Sequence, residues 1–213
     1  MTTARGHFIT LEGGEGAGKS TQIARLKDAL HAKCIDVRVT REPGGTDGGD
    51  QIRELLVNGD TNRWEPLTEA LLNYAARHEH LQKVITPALN AGTWVLCDRF
   101  SDSTMAYQGY GHGMDREVIR RLHRLIMGDV TPDLTLIFDM PVELGLERAH
   151  ARGEGEDRYE RMGVDFHQRL RDGFLDIAKK DPARCKVVDA AADMDTVAKI
   201  VCDHVTDRFK VDL

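Results

Sequence analysis

The chain has 213 residues, of which 41% are hydrophobic and 30% charged, and these ordinary globular values exclude an intrinsically disordered protein. The length predicts one compact domain over residues 1–213. The net charge of −6 disfavours a nucleic-acid partner, because a phosphate backbone would be repelled. No apolar run reaches the ~20 residues that cross a bilayer, and residues 1–6 lack the layout of a secretory signal. We therefore expect a cytoplasmic protein with no membrane partner.

Short apolar runs alternate with longer segments of helical spacing, which is typical of βαβ units. Five runs are predicted strands, at residues 7–12, 36–41, 93–98, 134–140 and 185–189. The predicted helices cover residues 19–32, 66–89, 117–127, 166–179 and 194–209. Because a right-handed crossover returns its helix to the sheet, we expect a three-layer α/β fold with a five-stranded parallel sheet and helices on both faces.

The segment 66–89 has the strongest helical pattern, with an apolar stripe that steps by four and three residues from Leu67 through Leu71 and Tyr74 to Ile85. His78 falls on that stripe, so we interpret it as a packed residue. Two segments rich in glycine and charge, 44–49 and 152–158, interrupt the alternation and are predicted mobile loops. Each of them could serve either as a plain surface connection or in function.

Directly after the first predicted strand, residues 13–20 read Gly-Gly-Glu-Gly-Ala-Gly-Lys-Ser and match G-x-x-x-x-G-K-[ST], the pattern of a phosphate-binding P-loop. Glycines let several backbone N–H groups point into one concavity, and the following helix adds its positive end. We predict a P-loop NTPase fold that binds ATP with Mg²⁺, in which Lys19 contacts the β- and γ-phosphates and Ser20 lies in the metal shell. The predicted ATP-binding residues are Gly13, Gly14, Glu15, Gly16, Ala17, Gly18, Lys19, Ser20 and Thr21.

The third predicted strand ends at Asp98 and Arg99. Ligands of open parallel sheets bind at the carboxyl edge, so these two charged side chains are expected beside the P-loop. An ordinary ion pair at a strand end is the alternative interpretation. Asp98 is a candidate second metal residue or an organiser of Arg99.

Over nearly its full length the chain resembles the thymidylate kinase family. The segments that carry the resemblance are the P-loop at 13–20, Thr-Arg-Glu-Pro-Gly-Gly-Thr at 40–46, Ala-Ala-Arg at 75–77, Asp-Arg-Phe at 98–100 followed by Ser103 and Ala-Tyr-Gln at 106–108, and Pro-Asp-Leu-Thr-Leu at 132–136. Members of this family transfer the γ-phosphoryl group of ATP to dTMP, which gives dTDP and ADP. The resemblance implies that activity here, for dTTP synthesis, and a homodimer.

The resemblance also implies an acceptor site. Arg77 and Arg99 would hold the dTMP phosphate, Tyr107 would pack against the deoxyribose, and Ser103, Thr104 and Gln108 would surround thymine. The implied dTMP-binding residues are Glu42, Pro43, Tyr74, Arg77, Arg99, Ser103, Thr104, Tyr107 and Gln108. Members commonly place a thymine-stacking Phe where this chain has Asn73, so we expect either Tyr74 or Phe100 to stack instead.

Catalysis is expected to rest on cations, because a phosphate dianion attacks without a protein base. We predict a short lid at about residues 150–162 that closes over ATP and supplies an arginine. Glu15 replaces the P-loop arginine of one branch of the family, and in the bacterial branch that acidic residue is thought to meet the acceptor's sugar hydroxyl. The predicted catalytic residues are Lys19, Arg99, Glu15, Arg152 and Arg158, with Arg148 a weaker lid candidate.

Two rival functions share the P-loop. A kinase for another nucleoside monophosphate would differ only in its acceptor, and a nucleotide-binding regulator would lack turnover. A GTPase is disfavoured because the sequence has no Asn-Lys-x-Asp segment to recognise guanine.

Overall fold

The computed structural model describes residues 4–153 and 158–213. Its centre is a five-stranded sheet in which every strand pairing is parallel, in the order β2-β3-β1-β4-β5. The strands are β1 Phe8–Gly13, β2 Val37–Arg41, β3 Trp94–Asp98, β4 Leu134–Asp139 and β5 Cys185–Asp189. The predicted five-stranded parallel sheet is confirmed. Each strand begins and ends within one residue of its predicted position.

Helices surround this sheet. In the described residues they are α1 Lys19–Ala32, α2 Asp47–Val57, α3 Pro66–His80, α4 Thr86–Asn90, α5 Ser101–Thr104, α6 Arg116–Met127, α7 Val142–Arg152, α8 Val164–Lys180 and α9 Met194–Phe209. Two π-helical stretches extend them: Leu81–Ile85 joins α3 to α4, and Met105–Gly111 continues α5. The predicted helix over 66–89 is thus a continuous α3–π–α4 segment that ends one residue later. Three helical segments, 47–57, 101–111 and 142–152, were not predicted.

The central strand β1 places the two faces of the core. Ile9 and Leu11 pack into a cluster with α1 and α9, whereas Phe8 points to the opposite cluster with α3 and α6. A third cluster joins α8 to the helix after α5. Chain order reverses beside β1, since β3 lies on one side and β4 on the other, and the carboxyl ends of all three meet at one edge. A crevice at this edge is where open parallel sheets bind ligands.

The expectation of a mobile loop over residues 44–49 is wrong for its second half. Helix α2 begins at Asp47, and its first turn contains Gly48 and Gly49. The hydroxyl of Thr46 accepts a hydrogen bond from the Gly49 amide at 3.0 Å and caps the helix. A side-chain cap and two acidic residues in the first turn, Asp47 and Asp50, offset the low helix propensity of glycine.

The expected burial of His78 is also wrong. His78, Leu67 and Leu71 are exposed, with 47% and 46% exposure for the two leucines, while His80 is completely buried. The buried face of α3 is therefore rotated from the predicted stripe, because Asn73 and Arg77 turn inward to a polar cavity that a hydrophobic pattern does not reveal. No helix among residues 4–153 and 158–213 is long and apolar enough to span a membrane.

Candidate active site

The P-loop leaves β1 at Gly13 and ends where α1 begins at Lys19. Gly16 has a positive φ of 67°, and a Cβ there would lie 2.0 Å from the carbonyl oxygen of Gly145 in α7. Only glycine allows this approach, which presses the loop against α7. The N-terminus of α1 has no side-chain cap, so its amides remain directed at the crevice.

Lys19 lies inside this loop and is 7% exposed. Its Nζ donates to the carbonyl oxygens of Gly13 at 3.3 Å and Gly14 at 2.9 Å. Burial lowers the pKa of Lys19 to about 8, and the neighbouring Arg99 acts in the same direction. The ammonium is thus held within the loop, at a place where the negative charge of a polyphosphate would offset the cost of its burial.

Two of the cavities beside the P-loop are lined by its residues 16–18. One, of about 250 Å³, is lined by residues 15–21 together with Arg41, Glu42, Arg53, Asp98, Arg99 and Glu160. The other, of about 360 Å³, lies along residues 16–18 between Arg148 and the start of α9. Seven of the nine predicted ATP-binding residues line the first cavity, and the other two, Gly13 and Gly14, hold Lys19.

A divalent cation suits the residues at the edge of the first cavity. The Ser20 hydroxyl donates to Asp98 Oδ2 at 3.1 Å, while Asp98 Oδ1 is buried and has no hydrogen-bond partner. An orphaned carboxylate oxygen next to a hydroxyl is a hard donor pair of the type that Mg²⁺ accepts. The described residues contain no cluster of three or more His, Cys, Asp or Glu side chains. This pair therefore fits a cation that arrives bound to phosphates.

A separate cavity of about 100 Å³ lies on the other side of Arg99. Eight of the nine residues predicted for the acceptor line it: Glu42, Pro43, Arg77, Arg99, Ser103, Thr104, Tyr107 and Gln108. Gln108 Oε1 is buried there without a partner. A polar atom withdrawn from water in this way is ready to bond a ligand, because leaving it unpaired costs free energy.

Arg77 is 2% exposed, yet its guanidinium lines the acceptor cavity. Nε donates to Glu42 Oε2 at 2.6 Å, Nη1 to the Thr104 hydroxyl and Nη2 to the Phe100 carbonyl oxygen, each at 3.0 Å. A guanidinium has five N–H donors, so these three bonds leave two for a bound anion. Burial disfavours the charged form of Arg77, but the carboxylate of Glu42 favours it. The net effect raises the pKa of Arg77.

Arg99 links the two cavities. Its backbone adopts a positive φ of 67°, which turns the side chain back toward the P-loop. Nη1 donates to the Gly13 carbonyl oxygen at 2.7 Å, and Nη2 donates to Glu15 Oε1 at 3.0 Å. Burial alone would raise the pKa of Glu15, but Arg99 and Lys19 outweigh it and lower the pKa to about 2. Glu15 also accepts from the hydroxyl of Tyr107, so Tyr107 and Arg99 share one carboxylate.

Tyr74 is the predicted acceptor residue that the structure places elsewhere. It is 1% exposed, donates to the Ile119 carbonyl oxygen at 3.4 Å and packs with the α3–α6 core. Asn73 lines the cavity in its place, with Nδ2 bonded to its own helix at the Glu69 carbonyl oxygen. Phe100, the other expected aromatic, does line the cavity.

The expected lid role of Arg158 conflicts with its position. Arg158 is completely buried and donates to the carbonyl oxygens of Leu56, Asp60 and Thr61 and to the carboxylate of Glu69. These bonds tie the chain to the α2–α3 connection, away from the P-loop. Residues 154–157 and the side chain of Arg152 lie outside the described part of the chain, so the middle of the predicted lid does too. Arg148 donates to Ala190 and lines the cavity beside α9.

Several site residues were missed by the sequence analysis. Glu12 is buried beneath the site and accepts from the Phe100 amide at 2.8 Å and the Ser103 hydroxyl at 2.6 Å. Burial, with Asp102 nearby, raises the pKa of Glu12 to about 7. Its signal was a charged residue inside an apolar strand. Arg53 lines the acceptor cavity from α2, and Tyr159 and Glu160 line it from the predicted lid, where the sequence analysis gave neither of them a role.

A P-loop at the edge of a parallel sheet, facing a second cavity lined by Arg77 and Arg99, defines a class: an ATP-dependent kinase of nucleoside monophosphates. A family model described as thymidylate kinase matches residues 11–201. The chain is 55% identical over 205 residues to the thymidylate kinase of Caulobacter vibrioides, covering 96% of this chain and 98% of the relative. It is 49% identical to that of Magnetococcus marinus, with 97% and 99% covered.

A solved structure of thymidylate kinase from Ehrlichia chaffeensis superposes with a TM-score of 0.77 at 37% identity, over 94% of this chain and 99% of that one. The chain belongs to the thymidylate kinase family, whose members phosphorylate dTMP to dTDP with ATP.

Proposed function

We propose that ATP and dTMP occupy the two cavities on either side of Arg99 and that the γ-phosphoryl group passes between them beside this residue. The observation that carries the assignment is that the guanidinium of Arg99 lines both cavities and donates to the P-loop at Gly13. A cation at that position lies where negative charge builds during phosphoryl transfer.

On the donor side, residues 13–21 surround the polyphosphate. The amides at the start of α1 and the ammonium of Lys19 neutralise its charge. Ser20 and Asp98 would hold Mg²⁺, which would withdraw negative charge from the phosphates of ATP. The lid arginines on this side are Arg148 and Arg152. Arg148 lines the adjoining cavity, and Arg152 ends α7.

On the acceptor side, Arg77 and Arg99 hold the phosphate of dTMP. The two unused donors of Arg77 suit the bidentate bonding that guanidinium makes with phosphate oxygens. Gln108 offers its buried Oε1 to the base, and Tyr107 packs against the deoxyribose beside Glu15. Ser103, Thr104, Glu42 and Pro43 complete the wall of the cavity.

The chemical step needs positioning more than proton transfer. The second pKa of a phosphate monoester is about 6, so the dTMP phosphate is already nucleophilic at neutral pH. Bringing two anions into line is the remaining difficulty, and Lys19, Arg77 and Arg99 answer it by neutralising charge on both sides. We assign no catalytic role to a histidine.

A coupled assay of ADP release tests the function. We expect turnover with dTMP to exceed turnover with dUMP, dCMP, dAMP and dGMP, since these acceptors differ only in the base, which Gln108 would contact. Lys19→Ala should reduce turnover by about 10³-fold or more, because charge neutralisation at the donor is lost. Equal turnover of the parent and Lys19→Ala, or preference for another monophosphate, would contradict the assignment.

We also propose that the protein is a cytoplasmic homodimer. Leu67 and Leu71 are exposed one turn apart on α3, and α3 contacts α6, which exposes Leu125 to 82%. Exposed apolar residues in such a group suit an interface between helices.

A further inference from the structure

His80 is the most deeply buried histidine of the site region, and the proposed chemistry gives it no role. It is fully buried at the end of α3, two residues after the exposed His78. Both of its ring nitrogens have partners: Nδ1 lies 2.9 Å from Glu42 Oε1, and Nε2 lies 2.6 Å from the Thr40 hydroxyl. A histidine that only filled space would not need two aligned polar partners.

The bonds continue from His80 to the acceptor cavity. Glu42 is 3% exposed, and its second oxygen, Oε2, accepts from Arg77 Nε at 2.6 Å. Thr40, His80, Glu42 and Arg77 thus form one chain of hydrogen bonds that starts in β2 and ends at the guanidinium lining the cavity. We call these four residues the Thr40–Arg77 chain. Three of its members, His80, Glu42 and Arg77, are nearly or completely inaccessible to water.

The chain implies a protonation pattern. Glu42 is charge-paired with Arg77 and therefore acts as an acceptor, so the proton between Glu42 and His80 belongs to Nδ1. Nε2 is then free to accept from the Thr40 hydroxyl, which fixes the tautomer. The charged groups that face His80 are Glu42 directly and Arg77 through it.

The loop after β2 packs against the same ring. A Cβ added to Gly45, whose φ is 83°, would lie 2.6 Å from His80 Nε2 and 2.7 Å from the Thr40 hydroxyl. Glycine is thus required at this position of the Thr-Arg-Glu-Pro-Gly-Gly segment because the backbone closes over His80. The ring consequently holds both the carboxylate of Glu42 and the loop that carries it.

We propose that His80 is a positioning residue for the acceptor phosphate. It fixes the Glu42 carboxylate, which holds Arg77 by Nε and turns the two unused N–H donors toward the cavity. This inference rests on the proposed binding of the dTMP phosphate by Arg77. A displacement of about 1 Å at a substrate-orienting group can cost on the order of 100-fold in rate, so the groups that fix Arg77 control how well it orients the acceptor.

The test compares dTMP binding by calorimetry and steady-state KM values for both substrates. His80→Leu removes both hydrogen bonds and is expected to raise the dissociation constant and KM of dTMP by about tenfold to a hundredfold, with KM for ATP changed less than about twofold. His80→Asn retains an N–H near the position of Nδ1 and should recover most of the affinity. His78→Leu and His78→Asn, two residues away on the same helix, are matched controls that should change neither constant.

An NMR comparison of the parent with Thr40→Val does not depend on the folding of His80→Leu. Thr40→Val removes only the hydroxyl, and ¹⁵N NMR of the imidazoles should show His80 protonated at Nδ1 in the parent and a mixed tautomer in Thr40→Val. An Nε2-protonated ring in the parent would overturn the proposal, as would equal loss of affinity for dTMP and ATP in a folded His80 variant. Arg77→Ala separates the two claims: unchanged dTMP binding there refutes the role of Arg77, whereas weakened binding there with unchanged binding in His80→Leu refutes His80 alone.

Discussion

Two buried arginines, Arg77 and Arg158, and the half-buried Arg99 differ in how many of their donors the protein itself uses. Arg77 spends three N–H groups on protein acceptors and lines the acceptor cavity, and Arg99 likewise lines it. Arg158 makes four hydrogen bonds, which engage all three of its nitrogens. It lines neither the acceptor cavity nor the cavity along residues 15–21. Exposure alone would group Arg77 with Arg158. The count of remaining donors separates the two that can bind substrate from the one that anchors the chain.

Arg158→Ala is therefore expected to act on stability. It leaves Glu69 buried without its cation, which costs about 3 to 5 kcal/mol of the free energy of unfolding. Urea unfolding measures this loss. The double variant Arg158→Met with Glu69→Gln removes both charges and should recover part of it. If the single variant kept its stability while turnover fell, Arg158 would have to leave this position during the reaction.

Glu15 gives stability a dependence on acid. Its pKa is lowered to about 2 from an ordinary value of 4.5, so its contribution is present above pH 4.5 and is lost as pH falls toward 2. A shift of this size corresponds to about 3 kcal/mol. We expect the unfolding free energy of the parent to fall more steeply below pH 4.5 than that of Glu15→Gln. Parallel curves for the two proteins, measured by urea unfolding at a series of pH values, would refute this.

At the scale of elements, helix α2 shows how tertiary contacts overcome local preference. Two glycines in its first turn favour a loop, yet Thr46 caps the helix and α2 packs on α3. The two glycines differ in their surroundings. Outside its own helix, a Cβ at Gly48 would approach the described residues no closer than 4.0 Å, at Glu79, whereas a Cβ at Gly49 would lie 2.9 Å from the Gly44 carbonyl oxygen.

This difference predicts opposite effects of the same substitution. Gly48→Ala should stabilise the protein by about 0.4 to 1 kcal/mol, because alanine restricts the unfolded chain and fits the helix. Gly49→Ala should destabilise it by about 1 to 3 kcal/mol through overpacking. Thermal and urea unfolding of the two variants check both signs. Equal effects would mean that the contact at Gly49 relaxes without cost.

At the scale of the whole molecule, the exposed leucines of α3 are the feature that a monomer leaves unexplained. We expect the protein to sediment at about 48 kDa, twice the 23.8 kDa of one chain. Leu67→Glu with Leu71→Glu should shift it toward the monomer, because two charges would be desolvated in the interface. Val164→Glu, at a residue of comparable exposure on α8, is the control. A monomeric parent protein would contradict the homodimer.

The sequence by itself determined the features that are local in the chain. The five strands are short runs in which apolar residues recur, and the P-loop places its glycines, Lys19 and Ser20 within eight residues, so pattern and spacing were enough to predict them. Resemblance to a family then indicated eight residues that line the acceptor cavity.

Only the tertiary structure decided which faces turn inward and which charges are spent. His80 rather than His78 is buried because Thr40 and Glu42, about forty residues earlier in the chain, meet the inner face of α3. Arg158 is an anchor because it binds the carboxylate of Glu69. That partner lies 89 residues earlier in the chain. Contacts at such separations leave no periodic trace in the sequence, since each partner alone looks like an ordinary surface charge.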